Sequence, residues 1–206
     1  MSFRHKLLAS FVGLLTAVLG ASLWTIQRLE TRRAQRELEA GLQLTRELFS
    51  DLLAQRDREL ARSLKLLSGD FAFKQAVATG DAATVHSAAV NHNQRIGADV
   101  LIVTDGDGLL LADTRRRAKP AASWRRKPFI GAALDVEPVS GIFLLDGTAF
   151  QLAAVGLNAP DTIGVVVTGY KIDDRFASAL KRLTMTEVAF EVSGKITGST
   201  LSASAR

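Results

Sequence analysis

Apolar positions run unbroken by charge from Leu7 to Ile26, then recur at three- and four-residue spacings to Leu67, and after Gly97 gather into short runs around glycine-containing turns. Each pattern predicts a different element. The first, LLASFVGLLTAVLGASLWTI, has the roughly 20 apolar residues that a helix needs to cross a bilayer. It exceeds the about 7–15 apolar residues of a cleaved signal peptide and lacks a good small-x-small cleavage site. A transmembrane helix over residues 7–26 is therefore expected, behind a short cytoplasmic N-terminus, residues 1–6. Arg28, Arg32, Arg33 and Arg36 follow the span, against Arg4 and Lys6 before it, a bias that the positive-inside rule does not favour. Long domains translocate largely regardless of charge, so the remainder is expected outside the inner membrane, periplasmic or extracellular, on a single-pass anchor.

The second pattern covers residues 27–67, which hold no proline and one glycine. Leu38, Leu42, Phe49, Leu52, Leu53, Leu60, Leu64 and Leu67 form one stripe, the mark of a long amphipathic helix. It would link membrane to sensor over roughly 60 Å, at about 1.5 Å per residue. The same stripe offers a homodimer seam, although Thr45 and Arg56 interrupt it.

The third pattern predicts an α+β module over residues 68–184. Short helices at Phe71 to Ala78 and Ala82 to Ile96 precede a hairpin, Asp99 to Thr104 and Leu109 to Asp113, around Asp105-Gly106-Asp107-Gly108. An irregular connection follows from Arg115 to about Ala133, longer than a turn requires. Then come strands at Gly141 to Leu145, Thr148 to Leu157 and Thr162 to Ile172, and a helix opened by Asp173 and Asp174. An antiparallel five-stranded sheet with flanking helices on one side fits this order. TEVAFEVSGKITGST at 186–200 is a looser copy of GADVLIVTDGDGLLLADT at 97–114. Residues 185–206 thus read as the start of a second, incomplete module. An isolated two-stranded hairpin is marginal in water, so this tail is expected to be loosely held.

Composition and charge narrow the chemistry. No cysteine is present, which removes disulfides, zinc–thiolate sites and thiol nucleophiles. The chain contains no G-x-S-x-G, H-E-x-x-H or phosphate-loop motif, and no enzyme activity or cofactor is expected. A calcium loop at D-G-D-G fails because Leu109 takes the third acidic position and Arg116 the twelfth. No metal is expected. His86 and His92, six apart on a polar helix, read as surface residues. The net charge of +5 includes the run Arg115, Arg116, Arg117, Lys119, Arg125, Arg126 and Lys127, ordinarily a solvated loop and alternatively an anion-recognising one. Nucleic acid is not an expected partner, given the compartment and the few interleaved aromatics.

In succession, RIGADVLIVTDGDGLLLADT, LDGTAFQLAAVGL, IGVVVTGYKIDDRFASALKRLT and TEVAF, behind one span and a long helix, resemble the membrane-distal module of a double Cache sensor domain. The resemblance runs from about Asp51 to Thr200. It implies a PAS-like sheet serving as the extracytoplasmic small-molecule sensing input of a bacterial transmembrane receptor: a diguanylate cyclase or phosphodiesterase, a histidine kinase or a chemoreceptor. In that family a second module, a return span and an output domain follow. The alternative is a stand-alone membrane-anchored binding or partner-interaction module. The implied ligand lies between the first sheet and the connection over it. Strand alternation sets Gly164, Val166, Thr168, Tyr170 and Ile172 on one face, with Thr168 and Tyr170 the polar candidates among apolar neighbours. In the connection, Trp124 beside Arg125 suits an anionic ligand such as a carboxylate. All four residues are expected to converge on one pocket.

Overall fold

The computed structural model describes residues 41–116, 122–135, 138–192 and 194–201. The expected cytoplasmic N-terminus, the membrane span at 7–26 and the first part of the long helix lie outside the described residues. Among the described residues no helix is long and apolar enough to cross a membrane. The chain divides into two compact units, Met1–Glu47 and Leu48–Arg206. Of the first, residues 41–47 are described and are helical.

The second unit opens with helix α1 (residues 48–69). The predicted stripe is its buried face: Leu60, Leu64 and Leu67 join Phe73 and Val77 of α2 (Phe71–Ala78) and Val85 and Ala89 of α3 (Ala82–Ile96) in one apolar layer. Side chains close the helix starts. Asp70 accepts the Phe73 amide at 3.0 Å and Asp81 the Thr84 amide at 2.9 Å, taking up donors that have no partner within the helix.

Five strands follow: β1 (Val100–Asp105), β2 (Leu110–Asp113), β3 (Val139–Leu145), β4 (Thr148–Asn158) and β5 (Thr162–Lys171). They form one antiparallel sheet in the order β2-β1-β5-β4-β3, so the fold is the expected α+β arrangement with a five-stranded sheet. Register sets Val103 against Val166 and Ile102 against Val167. Alternation then sends Leu101, Val103 and Val166 towards α1, α2 and α3, while Val100, Ile102, Val165 and Val167 enter a second apolar layer on the other face.

That second layer corrects the expectation of helices on one side. Within the supposedly irregular connection lies α4 (Pro128–Leu134), which buries Phe129, Ile130 and Ala133 against the far face. Seven residues are too few to display a helical period. The burial of three side chains holds this helix, not its propensity. The proline at its first turn lacks only an amide that would be unpaired there.

After β5, Asp173 caps α5 (Asp174–Thr184) by accepting the amides of Arg175 at 3.0 Å and Phe176 at 3.2 Å. The final hairpin, β6 (Ala189–Val192) and β7 (Lys195–Ser199), is a separate two-stranded sheet. Contrary to the loose tail expected, it is docked. Phe190 stacks on Phe176 at 5.4 Å and on Phe49 at 5.6 Å, and the Ser199 amide donates to Asp174 Oδ1 at 2.7 Å. An extra sheet would need a third strand for independent stability; here aromatic packing against α5 and α1 substitutes for it.

Candidate functional site beneath the connection

The connection leaves β2 at Asp113, whose carboxylate is fully buried and shares a sheet face with its register partner Ile102. Arg115 turns back on it with two hydrogen bonds, Nε to Oδ1 at 3.0 Å and Nη2 to Oδ2 at 2.7 Å, and reaches Asp146 in the β3–β4 turn at 3.2 Å. Its guanidinium also lies 5.7 Å from the Phe150 ring centroid. Burial lowers the Arg115 pKa, but the hydrogen bond and charge of Asp113, with Asp146, outweigh it and raise the pKa above the ordinary value. Arg115 therefore begins the connection as a fixed strap across the sheet. The reading of this residue as part of a solvated basic loop is corrected: its side chain is only 17% exposed, because a buried carboxylate needs a charged partner.

Further on, the connection pairs with the chain at the start of β2. The Leu110 amide donates to the Ala122 carbonyl at 2.9 Å, and that of Trp124 to the Gly108 carbonyl at 2.7 Å. Gly108 permits this closeness: its φ is 78°, and a Cβ there would stand 2.9 Å from the Arg125 Cβ. Trp124 is thereby driven into the far-face layer, 8% exposed, edge-on to Phe129 at 6.3 Å, with Lys127 Nζ 5.7 Å from its ring centroid. Arg125 beside it is exposed.

One polar side chain stands within the apolar layer of β1. Thr104 alternates with Val100 and Ile102, its register partner on β5 is Val165, and it is fully buried. Its hydroxyl has no hydrogen-bond partner. Such groups are rare in folded proteins because each carries the cost of lost hydration. Sequence reasoning passed over it, although the strand alternation it used for β5 would have exposed a polar position in VLIVT had it been applied to β1.

The four residues expected to form one pocket do not come together. Thr168 and Tyr170 share a face, as the alternation predicted, but that face meets α1, α2 and α3. Thr168 is fully buried and donates to the Val100 carbonyl at 3.1 Å. Tyr170 packs beside the helix-side core with Arg56 5.3 Å from its ring centroid, and burial, followed by Glu59, raises its pKa. Trp124 and Arg125 belong to the connection on the opposite face. The sheet itself separates the pairs, since residues two apart on a strand must stay on one side.

A groove of about 350 Å³ lies between α1 and strands β3 and β4, lined in part by Asp57, Ala61, Leu64, Lys65, Val139 and Ser140. His92, expected at the surface, packs edge-on against Phe73 at 5.2 Å, while Nδ1 of His86 is buried without a partner. Among the described residues no cluster of three or more histidine, aspartate or glutamate side chains could hold a metal. In the D-G-D-G turn, the Asp105 carboxylate instead accepts the amides of Asp107 at 2.9 Å and Leu109 at 2.8 Å.

Residues 35–206 match the family dCache_3, described as the double sensory domain of two-component sensor kinase. The chain belongs to this family: it is a double Cache sensory module of the two-component sensor-kinase type. Among solved structures, it is similar to the sensor domain of the V. cholerae histidine kinase DctB, with a TM-score of 0.51 and 15% identity over 75% of this chain and 69% of that one. It is also similar to the ligand-binding domain of the Campylobacter jejuni chemoreceptor Tlp3 in complex with 4-methylisoleucine, with a TM-score of 0.52 and 14% identity over 78% of this chain and 67% of that one. At these identities the likeness is one of fold. No curated protein matches the sequence.

Proposed function

We propose that this chain is the extracytoplasmic input of a single-pass receptor segment in the inner membrane, and that it binds a small anionic or zwitterionic metabolite between the far sheet face and the connection. In this reading residues 7–26 are the anchor, residues 27–67 the linking helix, residues 68–184 the membrane-distal module and residues 185–206 the opening of the second. The observation that carries the ligand site is the Thr104 hydroxyl, fully buried and unpartnered on the face that the connection covers. A ligand admitted there by movement of the connection would give that hydroxyl its partner. Trp124 supplies an apolar wall. Arg125 and Lys127, exposed and following it in the chain, supply positive charge for a carboxylate. The neighbouring Tlp3 domain carries 4-methylisoleucine, an amino acid, which supports this ligand class.

The chemistry assigned is binding. The Asp113–Arg115–Asp146 strap fixes where the connection starts, and ligand contact would bias the segment from Trp124 through α4. Thermal denaturation of the full chain against a panel of L-amino acids and short mono- and dicarboxylates tests the reading. A ligand at about 100 times its Kd stabilises the native state by about 2.7 kcal/mol, a shift of several degrees. Trp124→Ala and Arg125→Ala should each diminish it. A panel without any shift in the wild-type chain would overturn the proposal.

A further inference from the structure

Arg56 interrupts the apolar stripe of α1, yet it does not turn away from the core. Leu53 precedes it by three residues and Leu60 follows by four, and both pack inward. So does Arg56: its guanidinium lies 4.1 Å from the ring centroid of Phe176 and 5.3 Å from that of Tyr170. These two aromatics belong to the first turn of α5 and the end of β5. The position is thus the junction where the first sheet ends and the chain passes to the final hairpin, β6–β7.

A cation here is an unexpected choice on grounds of stability alone. Nη1 is buried without a hydrogen-bond partner. Burial pushes the Arg56 pKa down, against the pull of Asp99, Tyr170, Asp173 and Glu59. Replacing buried charges by apolar groups of similar volume is often neutral or stabilising, and leucine would continue the stripe. Polar contact extends to β4: Gln151, register partner of Tyr170 and only 4% exposed, donates Nε2 to the Leu53 carbonyl at 2.8 Å. Its Oε1 has no partner.

The aromatic contacts close a circuit. Arg56 lies over Phe176, Phe176 stacks on Phe190 of β6 at 5.4 Å, and Phe190 stacks on Phe49 of α1 at 5.6 Å. Phe49 and Phe176 also touch, at 6.0 Å. One flat cation therefore meets the sheet exit on one ring and the aromatic stack of the hairpin on the other.

We propose that Arg56 is the positioning residue that couples the end of β5 to α5 and the β6–β7 hairpin, holding these elements in one arrangement relative to α1. The role rests on the chain's being a sensor, but it does not require the proposed ligand site. Displacement of β5 would move Tyr170 and, through the guanidinium, Phe176 and Phe190. A leucine would fill space without linking the two rings.

Hydrogen–deuterium exchange on the ligand-free full chain tests this, with urea denaturation as the control for global stability. In Arg56→Leu the urea midpoint should stay level or rise, while amides of the first turns of α5 and of β6 and β7 exchange about tenfold faster through local opening. Amides of Val100 to Val103 and Leu152 to Val155 should keep their protection. Arg56→Lys, which keeps the charge without the flat face, should show the same pattern of faster exchange to a smaller degree. Unchanged exchange in the hairpin of either variant would overturn the proposal, and so would faster exchange spread evenly over all strands. Because no ligand enters the experiment, failure of the binding proposal would leave this result readable.

Discussion

Arg115 grips Asp113 with two parallel hydrogen bonds, at 3.0 and 2.7 Å, on the sheet face that the connection covers. Arg116 meets the same carboxylate more weakly, Nε to Oδ2 at 3.5 Å, with a side chain 53% exposed. Removal of the Arg115 side chain would leave the buried carboxylate with the residue-115 amide, at 3.0 Å, and the weaker Arg116 contact, but without its close charged partner. Arg115→Ala should therefore cost about 3 kcal/mol, as for a broken buried pair, and Arg116→Ala under about 1 kcal/mol, as for an exposed one. Urea denaturation of the two variants measures the contrast. Equal losses would show that the strap is a diffuse charge patch instead of one buried pair.

A pH dependence follows from His92. Its Nε2 stands 3.9 Å from Asp70 Oδ2 and its ring meets Phe73 edge-on. Burial lowers its pKa, Asp70 opposes this and Arg95 reinforces it, leaving the folded value below the ordinary one. The folded protein then binds the proton less tightly than the unfolded chain. Stability from this group is fully present above about pH 6.5, the unfolded value, and is lost as pH falls through the lower folded value. Urea midpoints measured from neutral into mildly acid solution should fall less steeply for His92→Gln than for wild type. Parallel slopes would exclude His92 as a contributor.

The elements legible in the sequence are those whose apolar pattern repeats over more than a turn or two. The Leu60, Leu64 and Leu67 stripe and the alternation in IGVVVTGYKI are both present as predicted. The α4 helix was not legible, because PFIGAAL is held by what Phe129 and Ile130 pack against, and that is a tertiary fact. The same reason divides the site. Alternation grouped Thr168 with Tyr170, yet only topology decides that their face meets α1 while Trp124 covers the other. Arg56 gave a visible signal as the break in the stripe, but a break in a stripe does not say whether the charge turns outward or in.

Docking of the β6–β7 hairpin depends on close backbone approach. A Cβ on Gly198 would lie 2.5 Å from the Asp173 carbonyl carbon and 2.6 Å from its oxygen, neither of which can swing aside as a side-chain tip could. Gly198→Ala should therefore lift β7 from the start of α5, weakening the Ser199 to Asp174 hydrogen bond. Limited trypsin digestion at Lys195 should then run about tenfold faster than in wild type, since cleavage follows local opening. An unaltered rate would mean that the hairpin is held by Phe190 alone.

The central claim is that the far sheet face under the connection binds the ligand, and Thr104→Val tests it most directly. The substitution removes one hydroxyl that has no partner in the ligand-free protein. Ligand-free, the variant should gain about 1 kcal/mol and melt higher, because an unpaired buried polar group is removed. Isothermal titration with the panel compound that most stabilises the wild-type chain should give the opposite change in binding: a Kd about tenfold weaker for the variant, the value of one lost hydrogen bond. Equal Kd values in the two proteins, or a panel in which no compound binds either, would contradict the assignment of this face as the sensing site.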